Sequence, residues 1–313
     1  MIIGMKPDGQ KTLIGFLNVN KPAGMTSSDV VEKVRGILEV RGGHGGTLDP
    51  AAEGVLVIGV GDARKFLSYL DDEKEYEGLM RLGRESSTGD GEGVLSEERP
   101  VEAGVAEITA AAAGLIGFLD LPVPAYSAVH VGGRRLYEMA RAGRPVEPPV
   151  RRMHIKSLEI LEIQSPLVRF SMTCAAGVYV RSVVLEWGRL LGCGAYIEKL
   201  TRTRSGIFSL TRAAALKTIE EKSRAGEAGE LVIPAFDALS HLPAALLSEN
   251  EAAMIRHGRE VDAPADLGTR DGLVRMALAG GGMLGVGQLK PAASGGPGRL
   301  LPVRLVSGDL ASI

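Results

Sequence analysis

The period of the apolar positions changes along the chain, and each change marks an element. Gly15 to Asn20 (GFLNVN) reads as a short strand running into the turn KPAG. Thr26, Ser27 or Ser28 then offers a helix cap. Val30, Val31, Val34, Ile37 and Leu38 follow at the spacing of one helix face. After a glycine-rich stretch from Gly42 to Pro50, the apolar run Val55 to Val60 predicts a strand, and Phe66, Leu67 and Leu70 predict a second amphipathic helix. From Lys74 to Leu82 the period is two, so Tyr76, Gly78, Met80 and Leu82 share a face. Val168, Phe170, Met172 and Cys174 alternate in the same way with Arg169, Ser171 and Thr173. A helix beginning at Arg181 places Val183, Val184, Trp187, Leu190 and Leu191 inward, and Gly192 and Gly194 end it. Strands and helices do not alternate as a regular βαβ repeat, so the pattern predicts an α+β fold.

Around Glu220 to Glu230 (EEKSRAGEAGE) the composition turns polar and small, which sets an expected boundary between domains at 1–228 and 229–313. Beyond it lie a helical segment, Glu249 to His257, and strand-like runs at Leu273–Leu278, Met283–Leu289 and Leu300–Val306. Short runs separated by glycine-rich loops predict a small, mostly β module, a compact barrel.

At 313 residues the chain is long enough for two domains and a full core. Its two cysteines, Cys174 and Cys193, are too few for a disulfide framework and form no C-x-x-C pair, which argues against a structural zinc site. They read as packing residues, as does Trp187. No apolar run reaches about 18 residues, so no membrane-spanning helix is expected. The first ten residues lack a basic region followed by an apolar stretch, and the expected location is the cytoplasm.

The net charge of −2 hides a local excess. Between His130 and Ala213 fourteen basic residues face six acidic ones, whereas Asp71 to Glu102 holds eleven acids and four bases. The first segment has the charge to meet a polyanion or simply to form solvated helix faces.

The densest chemical signal is GGHGGTLDPAAEG, Gly42 to Gly54. Its glycines permit close backbone approach or positive φ, and Asp49-Pro50 fixes a turn. A phosphate-cradling loop is the rival reading, but no G-K-[ST] follows and G-x-G-x-x-G is absent.

The loop stands in an ordered series. KPAGMTSSD precedes it; GVLVIGVGDARKFLSYL, KEYEGLMRLG, STGDGEG, PAYSAVHVGGRRLYEMARAG and GVYVRSVVLEWGRLLGCGAYIEKLTRTRSG follow. Over residues 15 to 210 this series resembles the TruB family of tRNA pseudouridine-55 synthases. The family stretch GHxGxLDPxAxGxL is met by Gly43, His44, Gly46, Leu48, Asp49, Pro50, Ala52, Gly54 and Leu56. The tail segments RHGREV and LLPVRLV suggest the RNA-binding PUA-type module that ends many such chains.

The resemblance implies a mixed-sheet catalytic domain and a small PUA-like domain acting on the T-arm of tRNA, as a monomer and with no protein partner, metal or cofactor. It makes Asp49 the catalytic carboxylate, Tyr76 the residue that contacts the base and serves in proton removal, and Arg181 the partner of Asp49. His44 would organise the surroundings of the displaced nucleotide, Lys21 and Pro22 would brace the loop, and Asp90 would hydrogen-bond the uracil. Tyr179 and Leu200 join the substrate-binding set, and Arg144 and Arg202 are expected to contact phosphates. The chain departs from the family pattern at His130, where the family has Lys, at Leu121 in place of Gln, and at Gly45 in place of a commoner Thr.

The chemistry agrees with one carboxylate. Pseudouridine formation breaks N1–C1′, turns the base and joins C5 to C1′, with all atoms conserved. A carboxylate acting on the base, on the sugar or through a glycal is sufficient. Burial raises a carboxyl pKa, and a neighbouring guanidinium offsets that. Extruding the uracil costs on the order of a few kcal/mol, and stacking on an aromatic returns roughly 1–3 kcal/mol. Two other classes fit less of the sequence: an RNA-binding or tRNA-folding chaperone on the same scaffold, and a nucleoside hydrolase using Asp49 with Asp90.

Overall fold

Thr26 starts the first helix with a reciprocal cap, accepting from the Asp29 amide while the Asp29 carboxylate accepts from the Thr26 amide. The computed structural model describes residues 3–5, 11–127, 129–141, 147–267, 271–291 and 298–307. Strand β1 (Gly15–Lys21) leads into helix α1 (Ser27–Leu38), which buries Val30, Val31 and Val34. Strands β2 (Gly42–His44) and β3 (Glu53–Val60) pair antiparallel on either side of the glycine-rich loop. Gly61–Tyr69 then winds as a 3₁₀ helix, not the expected amphipathic α-helix. Ala63 and Phe66, three residues apart, are its buried pair, and a three-residue turn aligns them.

Strand β4 (Lys74–Leu82) is followed by α2 (Val105–Gly114), β5 (Gly117–Pro122), β6 (Val150–Gln164), β7 (Leu167–Cys174), α3 (Val180–Leu190), β8 (Ala195–Ser205) and α4 (Leu216–Arg224). The expected period of two holds in both β4 and β7: Tyr76, Gly78, Met80 and Leu82 are buried, as are Val168, Phe170, Met172 and Cys174. Helix α3 buries Val183, Val184 and Trp187, but Leu190 is 47% exposed. Leu191, four residues after Trp187, takes the inward position at the end of the helix.

The large sheet runs Ala214–Ala215, β1, β3, β8, β4, β7, β6, β5. It is mixed: β3 and β8 are parallel, as are β1 and Ala214–Ala215, while the other neighbours on this path are antiparallel. Gly78 has no side chain because the Phe170 ring occupies that space; a Cβ there would lie 2.3 Å from Phe170 Cζ. Phe170 meets the edge of Trp187 at 5.9 Å, and Trp187 Nε1 donates to Ile108 O, so α2, α3 and the sheet share one core.

The tail forms a second sheet from β9 (Ala244–Leu247), β10 (Val261–Asp262), β11 (Gly272–Leu278), β12 (Met283–Lys290) and β13 (Arg299–Leu305), with α5 (Glu249–Arg256) packed beside it. Its order is β9, β11, β12, β13, β10. Among the described residues β9 and β10 do not pair with each other, so the sheet is open where a barrel was expected. The polar stretch near 220–230 is no linker. Lys222 bonds Glu227 and Glu230, and Val232–Ile233 still pair with β1. The chain therefore passes between sheets from Ile233 to Ala244. Phe16, Phe66 and Phe208 of the first unit bury one cluster with Leu239 and Val286. Among the described residues no helix is long and apolar enough to cross a membrane.

Candidate active site

The loop between β2 and β3 carries Asp49, and buried groups hold it from several directions. Ser27, at the start of α1, accepts from the Leu48 amide at 2.8 Å and donates to Leu48 O at 3.0 Å. Lys21 is fully buried and donates to Pro22 O at 2.9 Å, Pro50 O at 3.1 Å and Ala52 O at 2.6 Å. Burial lowers its pKa to about 8, against the raising effect of the Asp49 charge. At the loop's end Gly54 has φ +102°, and a Cβ on it would lie 2.3 Å from Arg202 O. Glycine is needed here for both its backbone angle and the close approach of β8.

Arg181 reaches Asp49 from the first turn of α3. Its Nη2 is 2.9 Å from Oδ1 and its Nε 2.9 Å from Oδ2. The guanidinium is fixed further by Nη1 donating to Thr88 O at 2.9 Å and by the same Nη2 donating to Tyr126 O at 3.0 Å. The Arg181 side chain is 5% exposed and that of Asp49 34%, so the pair is anchored on the arginine side and open on the carboxylate side. Burial raises the Asp49 pKa, Arg181 opposes this, and Asp90 adds to the rise. A unit charge pair about 4 Å apart interacts by about 4 kcal/mol at an effective dielectric of 20.

Asp90 lies 3.9 Å from Arg181 Nε and is buried in its turn, where its Oδ1 accepts from Thr88 Oγ1 and the Glu92 amide. Tyr76 is buried on β4, directly across the ladder from Arg202. Burial raises its phenol pKa, Arg202 works against that, and the Asp49 charge adds to the rise, which places the phenol in the field of the carboxylate. Leu200 is buried two residues before Arg202 on β8, and half-buried Tyr179 is the N-cap of α3. His44 ends β2 half-buried, and its Nδ1 is buried without a partner. Burial and then Arg202 lower its pKa.

Of the sequence-expected set, Arg181, Asp90, Lys21 and Tyr76 are brought within the field of Asp49, and two arginines depart from expectation. Arg144 lies outside the described residues. Arg202, expected at a phosphate, is buried: its Nε donates to Val55 O at 2.6 Å, Nη1 to Thr47 O at 3.4 Å and Nη2 to Gly46 O at 3.1 Å. Arg204 is likewise engaged, by Glu73 just before β4 and Glu75 on it. Lys199, Arg212, Arg151 and Arg152 remain exposed. Sequence reasoning missed Lys74, which borders the loop at Gly46 and whose pKa burial lowers. It also missed Thr88 and Tyr126, which act through backbone carbonyls and so leave no residue-type signal.

Residues 35–180 match the model of the TruB family pseudouridylate synthase N-terminal domain, and residues 243–306 that of the pseudouridine synthase II TruB C-terminal domain. The second match begins where the second sheet does. The tRNA pseudouridine synthase B of Thiobacillus denitrificans is 39% identical over 97% of this chain and 99% of its own length. That of Pseudomonas aeruginosa is 37% identical over 95% of this chain and 97% of its own. The crystal structure of a Cbf5–Nop10–Gar1 complex contains a chain that superposes with a TM-score of 0.73 at 25% identity, covering 97% of this chain and 89% of that one. Two family models matched in order, with relatives up to 39% identical over nearly the whole chain, mean that this chain belongs to the TruB family of pseudouridylate synthases.

Proposed function

We propose that this protein is a tRNA pseudouridine synthase, an isomerase that converts uridine 55 of the tRNA T-loop to pseudouridine with Asp49 as the reacting carboxylate. The observation that carries the reading is the Asp49–Arg181 pair. One carboxylate is held on both oxygens by a buried guanidinium while a third of its surface stays open. A group that served only stability would be enclosed or solvated. A group that must meet an extruded nucleotide needs one side fixed and one side free.

Tyr76 and Leu200 supply the apolar floor on which the uracil lies, and Asp90 and Tyr179 flank it. The Asp49 anion supports cleavage of N1–C1′, and the base turns and rejoins through C5. The proton leaving C5 is balanced by the proton gained at N1, so the reaction needs no redox or group-donating cofactor. Tyr76 contacts the base through its ring and hydroxyl and serves in removal of the C5 proton; burial raises its phenol pKa. Exposed Lys199, Arg212, Arg151 and Arg152 remain for phosphates. The enzyme acts as a monomer on the T-arm, in the cytoplasm.

The test uses a tRNA transcript tritiated at uridine C5. The wild-type chain releases one label per T-loop with no change in the RNA backbone. Asp49→Asn releases none and binds the transcript with an affinity close to wild type. An active Asn variant would remove Asp49 from the reaction. Release of free uracil would replace isomerisation with hydrolysis.

A further inference from the structure

Arg202 is the most enclosed charge near the site. It is 1% exposed, and its guanidinium donates to three backbone carbonyls, while its side chain also meets the Tyr76 phenol. Gly46 and Thr47 lie just before Asp49, and Val55 lies beyond the loop's end. One side chain therefore closes a ring around the segment that contains the carboxylate.

We infer that Arg202 is a positioning residue for the reaction: it ties both arms of the Asp49 loop to the middle of β8 and thereby fixes where the carboxylate stands. The inference rests on the reading of Asp49 as the reacting group. Three relations support it. Lys21 grips the same loop at Pro50 O and Ala52 O, so the two buried cations clamp it on either side of Asp49. The Arg202 backbone meets Gly54 so closely that no Cβ fits between them, which joins the loop's exit to the same point of β8. Arg202 is also the register partner of Tyr76, so one residue aligns the carboxylate loop with the aromatic floor.

The action passes through the backbone. The cations that act on the Asp49 carboxyl are Arg181 and Lys21, whereas the charge of Arg202 is felt at Lys21, His44, Lys74 and Tyr76. A planar fork reaches the Gly46 and Thr47 carbonyls with one end and Val55 O with its Nε, and a lysine ammonium does not reproduce that fixed geometry.

The experiment compares Arg202→Lys with wild type in the full chain, using the tritiated transcript. It records single-turnover rate, RNA affinity at several salt concentrations, pH–rate profile and thermal midpoint. The expected variant folds and binds RNA with unchanged affinity and salt slope. Its rate falls roughly 10- to 100-fold, and the midpoint of its pH profile stays where it is in the wild type. Weaker binding with a shallower salt slope and a normal rate would make Arg202 a phosphate contact and overturn the inference. A variant that does not fold, or a shifted pH midpoint, would make it a stability residue or a field effect and overturn it too. Asp49→Asn keeps the outcomes apart. If it is active, the reading of Asp49 falls; if it is inactive while Arg202→Lys runs at wild-type rate, only the role of Arg202 falls.

Discussion

Arg181 meets both oxygens of Asp49, with Nη2 2.9 Å from Oδ1 and Nε 2.9 Å from Oδ2, while Nη1 donates to Thr88 O and Nη2 also to Tyr126 O. The carboxylate is thus aimed by a cation that cannot swing away. Burial alone pushes the Asp49 carboxyl up, and Arg181 is the largest influence holding it down.

Replacing Arg181 with Met therefore moves the Asp49 carboxyl further up. With Asp49 reacting as the anion, as proposed, the acid limb of the pH–rate profile is expected to shift to higher pH. At neutral pH the rate falls by about two orders of magnitude or more, the usual loss for an aligned charge partner. Arg181→Lys keeps a charge but not the fork, so its limb moves less while its plateau still drops. Tritium release measured from pH 5 to pH 9, an approximate range bracketing both limbs, checks this. A Met variant with the wild-type acid limb would dissociate Arg181 from the ionisation of Asp49.

Lys21 gives a prediction with two opposite signs. Its ammonium loses its proton near pH 8 in the folded chain, against 10.5 when free. Between those values the unfolded chain binds more protons, so this group adds stability as pH rises. Over the same interval Asp49 loses one of its positive neighbours, so the rate falls as pH passes about 8. In Lys21→Met both trends vanish. Three carbonyls also lose their donor, and unsatisfied buried groups cost about 1–3 kcal/mol each. Urea midpoints and single-turnover rates at pH 7.5 and 9.5, values chosen to sit roughly on either side of the titration, test the difference between the two proteins. Rate and Lys21-dependent stability falling together would contradict it.

Much of this site was legible in the sequence, and what was not has identifiable causes. The period of two around Tyr76 and the helix after Tyr179 place Tyr76 and Arg181 on regular elements, where spacing fixes direction. The glycines around Asp49 marked close approach before the approaching group was known. Arg202 was misread because a sequence counts its charge without showing its burial. On β8 it alternates inward with Leu200, while Lys199 and Arg204 are less enclosed. The same alternation argument applied to β8 would have found it. The carbonyls of Thr88 and Tyr126 had no such route, since every residue has one. The boundary expected at 228 rests on short, charged sequence near Lys222, which looks like a linker until its ion pairs with Glu227 and Glu230 are seen.

Gly54 is the most demanding backbone position in the loop, and comparison with Gly24 isolates why. Both have positive φ, +102° at Gly54 and +85° at Gly24. A Cβ at Gly24 meets nothing within 4 Å, so Gly24→Ala carries backbone strain alone, about 1–3 kcal/mol. At Gly54 the added carbon falls 2.3 Å from Arg202 O and 3.0 Å from Arg202 N, both backbone atoms that no rotamer change can move. It must push β8 away from β3 where Thr201 and Arg202 pair with Glu53 and Gly54. That parting would also pull the Arg202 fork off the Gly46, Thr47 and Val55 carbonyls. Gly24→Ala is thus expected to fold and keep a measurable rate, with a thermal midpoint lowered by a few degrees. Gly54→Ala is expected to lose more stability than strain alone accounts for, and to lose activity even at temperatures where it remains folded. Thermal melts read beside tritium release on the folded fraction separate the two effects. Equal midpoints and equal rates for the two variants would mean that the β3–β8 contact does not hold the loop.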